Sequence, residues 1–351
     1  MMTTKAKGLL SRVKGNLSAG AVVPAARRTA NTKAAAWNIR KIVILSVLVL
    51  LAAAAYLFVS VDPKYFEFAM KLRVPKLIVM LMVAFAIGGA TVVFQSVINN
   101  TIVTPCLLGM NSLYTLVHTA VVFFFTTSSI VYTNRNLSFA IDLLIMAIIA
   151  TIIYGWLFKK TNYNVLYVLL VGTVLSNFFS SGQTTLTRVM DPNEYDTLLT
   201  TLVASFSRVN SSIIVFALIL MAAVIFVLRK ELALLDVITL GKEQAINLGV
   251  DYDKTIRKLL VGVVIFIAIA TALVGPISFL GLILANLSRQ LFKTYKHTYL
   301  IAGAALIGMV VLVGGQMIVE HVFVYSVPVS VFITVGGGIY FLYLLLRKGK
   351  N

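Results

Sequence analysis

Thr239-Leu240-Gly241-Lys242-Glu243-Gln244-Ala245-Ile246-Asn247-Leu248-Gly249-Val250 sits within the polar loop 229–258, the only long polar interruption between apolar runs in the second half of the chain. Thr239 is placed to cap a short helix, Glu243 falls in its first turn, and Gly249 supplies a left-handed stop after about two and a half turns. Gly241, Ala245 and Leu248, at i, i+4 and i+7, share one face of that helix: a nearly flat patch with one apolar knob. Such a face suits the groove of another protein. An amphipathic linker resting on the membrane surface fits the same pattern.

Outward from this loop, apolar runs of about 20 residues alternate with short polar segments, as in a chain that crosses a membrane repeatedly as helices. Of 351 residues, 60% are hydrophobic and 12% charged, and the mean hydropathy is +0.96. That composition leaves too little polar surface for a water-soluble domain. The length of the runs excludes the roughly ten-residue alternation of an outer-membrane barrel. The expected fold is therefore all-α, a polytopic membrane protein of about ten transmembrane helices. A net charge of +18 would point to nucleic acid in a soluble protein. Here its distribution among loops matters more, and no nucleic acid is expected. The single cysteine, Cys106, excludes an intrachain disulfide, and no Cys/His cluster has metal-ligand spacing, so no metal site is expected.

Residues 1–41 carry nine basic residues and no acid, and read as a basic cytoplasmic arm ahead of the permeation domain at 42–347. The first helix is expected at 42–60. A second starts at Pro75, placed near N1, and runs to Val97, with Gly88-Gly89-Ala90 giving it a narrow packing face. The stretch 99–109, polar and then broken by Pro105 and Gly109, is non-helical backbone that must be buried by protein or lined by water. Further helices are expected at about 107–125, 139–158, 165–183, 212–228, from 259, up to 289, at 299–319 and at 329–346, with Pro276 and Gly281 breaking the run after 259. The segment 185–210 is amphipathic and too polar to span. With both termini inside, 23 of the 30 basic residues fall in cytoplasmic segments and seven outside. The positive-inside rule thus places the loop 229–258 in the cytoplasm of a multi-pass protein of the bacterial cytoplasmic membrane.

No phosphate-binding G-x-x-x-x-G-K-[ST] occurs, so the chain is not expected to hydrolyse nucleotide. Asp142 is the only acid inside an expected span, which argues against an ion-coupled carrier. His118, His297 and His321 lie far apart, and only Glu320 beside His321 is a neighbouring carboxylate, so no catalytic residue is expected. A passage without its own motor, joined to a docking loop, points to a permease driven by a separate ATPase. A secondary carrier and a non-transporting scaffold are the rivals.

From Lys71 to Lys348 the chain resembles the permeases of ABC importers for iron-siderophores and vitamin B12, the type II importers. Residues 240–250 followed by Arg257, the run Gly275-Pro276-Ile277-Ser278-Phe279-Leu280-Gly281-Leu282, and Leu72-Arg73-Val74-Pro75-Lys76 carry the resemblance. Asn100-Thr101-Ile102-Val103-Thr104-Pro105 departs from the family's Asn-Pro-Leu-Ala-x-Pro. With Asp191-Pro192-Asn193-Glu194-Tyr195 it resembles the branch that handles ferric catecholate siderophores such as petrobactin or anguibactin. Haem and vitamin B12 remain alternatives.

The resemblance implies a second permease subunit, copy or paralogue, two ATPase subunits holding the ATP and magnesium, and an extracytoplasmic siderophore-binding protein. This chain itself would hold no cofactor. Gly241, Glu243, Ala245, Leu248 and Gly249 would couple to the ATPase, while Arg73 and Lys76 would meet glutamates of the binding protein. The family's third docking arginine is replaced here by Glu320 or His321. Gln95, Asn99, Asn100 and Asn286, with Asn177, are the candidate neutral lining of the pathway. Ordinary polar packing between helices is the other reading of these residues.

Overall fold

The computed structural model describes residues 25–125, 134–161, 165–206, 211–324 and 327–348; the basic arm up to residue 24 and Arg208 lie outside them. The chain divides into two units, Met1–Ile44 and Leu45–Asn351. The described part of the first is the N-terminal portion of helix α1, Ala25–Phe58, so helix starts well before the expected residue 42. The second unit holds everything else: α2 (Phe66–Val97), α3 (Met110–Phe125), α4 (Arg135–Lys160), α5 (Val165–Val189), α6 (Pro192–Leu202), α7 (Ser211–Ala233), α8 (Leu235–Ile238), α9 (Lys242–Asn247), α10 (Tyr252–Val274), α11 (Leu280–Leu291), α12 (His297–His321) and α13 (Val329–Lys348).

Among the described residues six helices, within α1, α2, α4, α7, α10 and α12, are long and apolar enough to cross a membrane, and α3 and α13 contain shorter apolar ones. Two further helices are of a different kind: α5, 25 residues long with many hydroxyls, and the 12-residue α11.

The hub is α2, which packs against α12, α10 and α11 and is buried from Val79 onward almost without interruption. Small residues make this possible. A Cβ on Gly88 would lie 3.1 Å from the backbone carbonyl carbon and oxygen of Ala304, and one on Gly308 would lie 3.1 Å from the Cβ of Ala84. Ala84 with Gly88, and Ala304 with Gly308, are i, i+4 pairs that let two backbones approach where no side chain intervenes.

One expected helix start and one expected break are corrected. Pro75 does not start a helix: it lies inside α2, whose first turns extend out to Phe66. A proline there removes one intrahelical bond, and on this outer stretch, exposed or half-buried, water can serve the freed carbonyl. Gly281 is no break either, since it sits in the first turn of α11, and a Cβ on it would fall 2.1 Å from Thr91 Oγ1. Its smallness seats α11 on α2. The genuine stop is Gly275, at φ +91°, which ends α10, after which the Ser205 N–H donates to the Val274 carbonyl at 2.8 Å. Pro105 and Gly109 do interrupt the chain: Pro105 precedes a single 3-10 turn, Cys106–Leu108, and Gly109 turns left-handed at φ +94° before α3 begins.

Candidate functional site

The segment between α7 and α10 is a chain of short, individually capped pieces. Thr239 is not the N-cap of α9. It closes α8, with its hydroxyl donating back to the carbonyls of Leu235 and Asp236 at 3.3 and 3.1 Å. Gly241 opens α9 instead, at φ +104°, a conformation that glycine adopts without strain. At the other end Gly249 is left-handed at φ +82°, its N–H reaching Ile246 O at 2.9 Å while Val250 N–H reaches Ala245 O at 3.0 Å. That pair of bonds is a Schellman stop. Asp251 then caps α10 through Lys254 N–H at 3.2 Å.

The faces of α9 differ from the expected ones. Ala245 is fully buried, whereas Leu248, Ile246 and Leu240 are 64%, 52% and 57% exposed. Gly241, Ala245 and Leu248 therefore do not form one outward patch. Ala245 is the seat of the helix, and the outward apolar knobs are Leu240, Ile246 and Leu248, beside the exposed carboxylate of Glu243.

Two polar ties fasten the segment to long helices. Lys242 Nζ donates to both carboxylate oxygens of Asp253 on α10, at 3.2 and 3.0 Å. On α8, Asp236 Oδ1 accepts from the backbone N–H of His297, the first residue of α12, at 2.9 Å, and lies 2.5 Å from its Nδ1. A carboxylate at a helix N-terminus is favoured by the exposed N–H groups there. α9 is thereby tied to α10, and α8 to α12, the two principal partners of α2.

Of the expected pathway residues, Gln95 and Asn286 are buried, Asn100 is half-buried, and Asn99 and Asn177 are exposed. Gln95 is 1% exposed and donates from Nε2 to Thr101 O at 2.8 Å. Asn286 is 9% exposed and donates to the same carbonyl at 3.0 Å. Asn100 Oδ1 accepts from the N–H groups of Ile102 and Val103, and Asn99 is left-handed at φ +53°. These side chains close the turn after α2 and fix it to α11, with Arg289 Nη2 donating to Ser96 Oγ at 3.0 Å. Buried non-helical backbone at this depth needs such partners.

The exposed polar surface is on α5. Thr173, Asn177, Ser180, Ser181 and Thr184 are all exposed on a helix of membrane-crossing length. Their spacing repeats with the helical period, so the signal was present in the sequence. Only Asn177 drew attention there, because hydroxyl residues lower hydropathy too little to interrupt an apolar run.

Comparison with known proteins agrees with this arrangement. Residues 34–347 match the FecCD transport family. The chain belongs to that family. It is 39% identical over 295 residues to the petrobactin import system permease protein YclO of Bacillus subtilis, covering 84% of this chain and 94% of the relative. It is 36% identical over 293 residues to the petrobactin import system permease protein FatC of Bacillus anthracis, covering 83% and 82%. A metal-chelate type ABC transporter solved in an inward-facing conformation shares the fold, with a TM-score of 0.75 at 21% identity over 88% of this chain and 99% of that one.

In this FecCD chain Arg73, expected to meet the binding protein, also makes contacts within the chain. Arg73 is occupied: its Nη1 donates to the carbonyls of Tyr56, Leu57 and Val59 at 2.8, 3.3 and 2.8 Å, capping the C-terminus of α1. Lys76 is half-buried. Glu320 accepts from Tyr56 Oη at 3.1 Å and Gln316 Nε2 at 2.9 Å.

The histidines are not isolated from acids. His118 Nδ1 lies 2.6 Å from Asp142 Oδ2 and its Nε2 lies 3.0 Å from Thr201 Oγ1, within a region where Val122, Met190 and Leu198 pack together. This joins α3, α4 and α6 by contacts 24 and 83 residues apart, which local spacing cannot reveal. Asp142 is thus a buried structural acid, and α6 is held on the outer end of α3.

Proposed function

We propose that the chain is the permease subunit of an ABC importer that carries a ferric siderophore, of the catecholate-bearing kind handled by the petrobactin import permeases it resembles. The observation that carries the reading is the α8–α9 segment: three outward apolar side chains on and beside a short helix, with polar ties to α10 and α12. That is the form of a part moved by another protein. The partners in this reading are two ATPase subunits bearing ATP and magnesium, a second permease, copy or paralogue, and an extracytoplasmic binding protein. This chain holds no cofactor of its own. Leu240, Ile246 and Leu248 meet the ATPase groove, with Glu243 at its rim, while Gly241 and Gly249 set the ends of α9 and Ala245 seats it.

The exposed stripe of α5 supplies a neutral lining, suited to a bulky anionic complex because a fixed acid in a low-dielectric passage would repel it. Arg73, which also caps α1, and Lys76 are the candidate basic contacts for the binding protein.

The test is uptake by vesicles containing the assembled transporter. Replacing Ile246 and Leu248 with Asp should leave the protein in the membrane and abolish ATP-driven uptake, whereas full uptake in that variant would refute the coupling role. Growth of a deletion strain on ferric catecholates, ferric hydroxamates, haem and cobalamin in turn tests the substrate: the expected loss is of ferric catecholate use alone.

A further inference from the structure

Between the cytoplasmic halves of α4 and α10 lies a cavity of about 750 Å³ that the transport reading does not use. Its mouth carries Lys159, Lys242 and Arg257 with one acid, Asp253, and its inner wall is apolar, including Ile152 and Val264. The ion pairs leave an unbalanced positive charge. Lys242 is matched with Asp253, and the adjacent Lys258 with Glu231, so Lys159 and Arg257 face the opening without an acidic partner among the described residues. From Lys159 back to Ile152, and from Arg257 on to Val264, is seven residues along each helix, about 10 Å. The cavity is therefore cationic at the level of the membrane surface and apolar about 10 Å deeper. Trp156, 62% exposed on the same wall, is the residue type that favours the interface between headgroups and hydrocarbon.

The geometry points to a site for an anionic phospholipid of the cytoplasmic leaflet, its phosphate between Lys159 and Arg257 and its acyl chains along Ile152, Trp156 and Val264. Basic pockets between helices on the cytoplasmic side take such headgroups, and this one supplies both the charge and the apolar continuation that a phosphate ion alone would not need. Because Lys242 and Asp253 belong to the same mouth, a lipid seated there adjoins the tie between α9 and α10.

Native mass spectrometry of the full chain tests this, purified in detergent with the subunits that copurify and titrated with dioleoyl phosphatidylglycerol. The expected result is one tightly held phosphatidylglycerol per chain and none of phosphatidylcholine at the same concentration. Lys159→Gln with Arg257→Gln should weaken binding about 30-fold, at roughly fivefold for each basic residue near a charged surface. Gly155→Leu leaves every charge in place but puts a branched side chain into the cavity beside Trp156, at a position where an added Cβ meets nothing within 4 Å, and should weaken binding. Lys160→Gln, outside the lining, should retain it. Equal binding of phosphatidylcholine, unchanged affinity in the double variant, or glycerol phosphate binding as tightly as the lipid would overturn the assignment. So would loss of a copurifying subunit from Gly155→Leu with lipid binding intact, which would make the cavity a protein contact. None of these readouts depends on which substrate the transporter carries.

Discussion

Helices α2 and α5 are both long enough to cross a membrane, and they are built on opposite plans. The 32-residue α2 is buried along most of its length, and its polar groups are turned to structural use: Gln95 closes the turn that follows it and Ser96 Oγ donates to Val92 O at 2.8 Å. The 25-residue α5 packs chiefly on α3 and shows its hydroxyls and Asn177 to the outside. Polarity alone therefore does not mark a pathway. A glutamine surrounded by protein is part of the scaffold, and a row of serines and threonines left uncovered is available to something that passes.

The largest expected effect breaks α2. Gly88→Leu has no room to adjust, because the obstacle is the backbone of Ala304 rather than a side-chain tip. Forcing α2 and α12 apart should cost at least about 3 kcal/mol, the upper range for overpacking, and should be seen as loss of folded protein in thermal unfolding of the detergent-solubilised chain. The matched change on α5, Gly182→Leu, meets only Leu116 Cδ1 at 3.3 Å, a flexible end that can turn away. Equal destabilisation by the two variants would remove the distinction between hub and periphery.

The same amide-to-alkyl exchange on each helix gives the next largest effect. Gln95→Leu removes one of the two donors to the Thr101 carbonyl, Asn286 Nδ2 remaining at 3.0 Å, and should cost about 0.5–1.5 kcal/mol of stability. Asn177→Leu with Ser181→Leu should leave stability unchanged and lower uptake about tenfold, by removing groups that otherwise hydrogen-bond a polar cargo. Thermal unfolding and vesicle uptake measured on both variants separate the two outcomes. Loss of uptake from Gln95→Leu at full stability would return the pathway to α2.

What the sequence made legible follows the range of the physics involved. Apolar runs and basic loops report the number and direction of helices, and glycines in left-handed positions report where they stop, so Gly249 and Gly275 are readable locally. Pro75 and Thr239 misled for the same local reason. Each is a favoured helix-start residue, yet an upstream turn already carried the helix past Pro75, and α8 took Thr239 as its end. The pairing of His118 with Asp142, and of His297 with Asp236 across 61 residues, is a product of packing and leaves no mark in spacing. Burial of Ala245 is of the same kind. The face of a six-residue helix that turns inward is chosen by what lies beneath it, and periodicity is silent on that.

The smallest effect is expected where α5 meets α3. Gly109 and Gly172 allow the close approach: a Cβ on Gly172 would fall 2.6 Å from Leu108 Cδ2, and one on Gly109 would fall 3.0 Å from Ser176 Cα. Along this contact Ser112 and Ser176 share a hydrogen bond of 2.9 Å, and Ser180 donates to Ser112 Oγ at 3.3 Å. Ser176→Ala keeps the Cβ that fits the seam and removes only the hydroxyl, while Ser180 continues to serve Ser112. No buried group is left without a partner, so the cost should be about 0.6 kcal/mol, the usual worth of an interhelical hydrogen bond in a membrane protein. A double-mutant cycle with Ser112→Ala, read by thermal unfolding, measures it. A coupling above about 2 kcal/mol would exceed the largest values seen for such bonds and would make the serine seam a fastening of the fold. In that event α5 would be a second structural helix like α2, and the exposed stripe beside the seam would lose its claim to be surface kept free for transport.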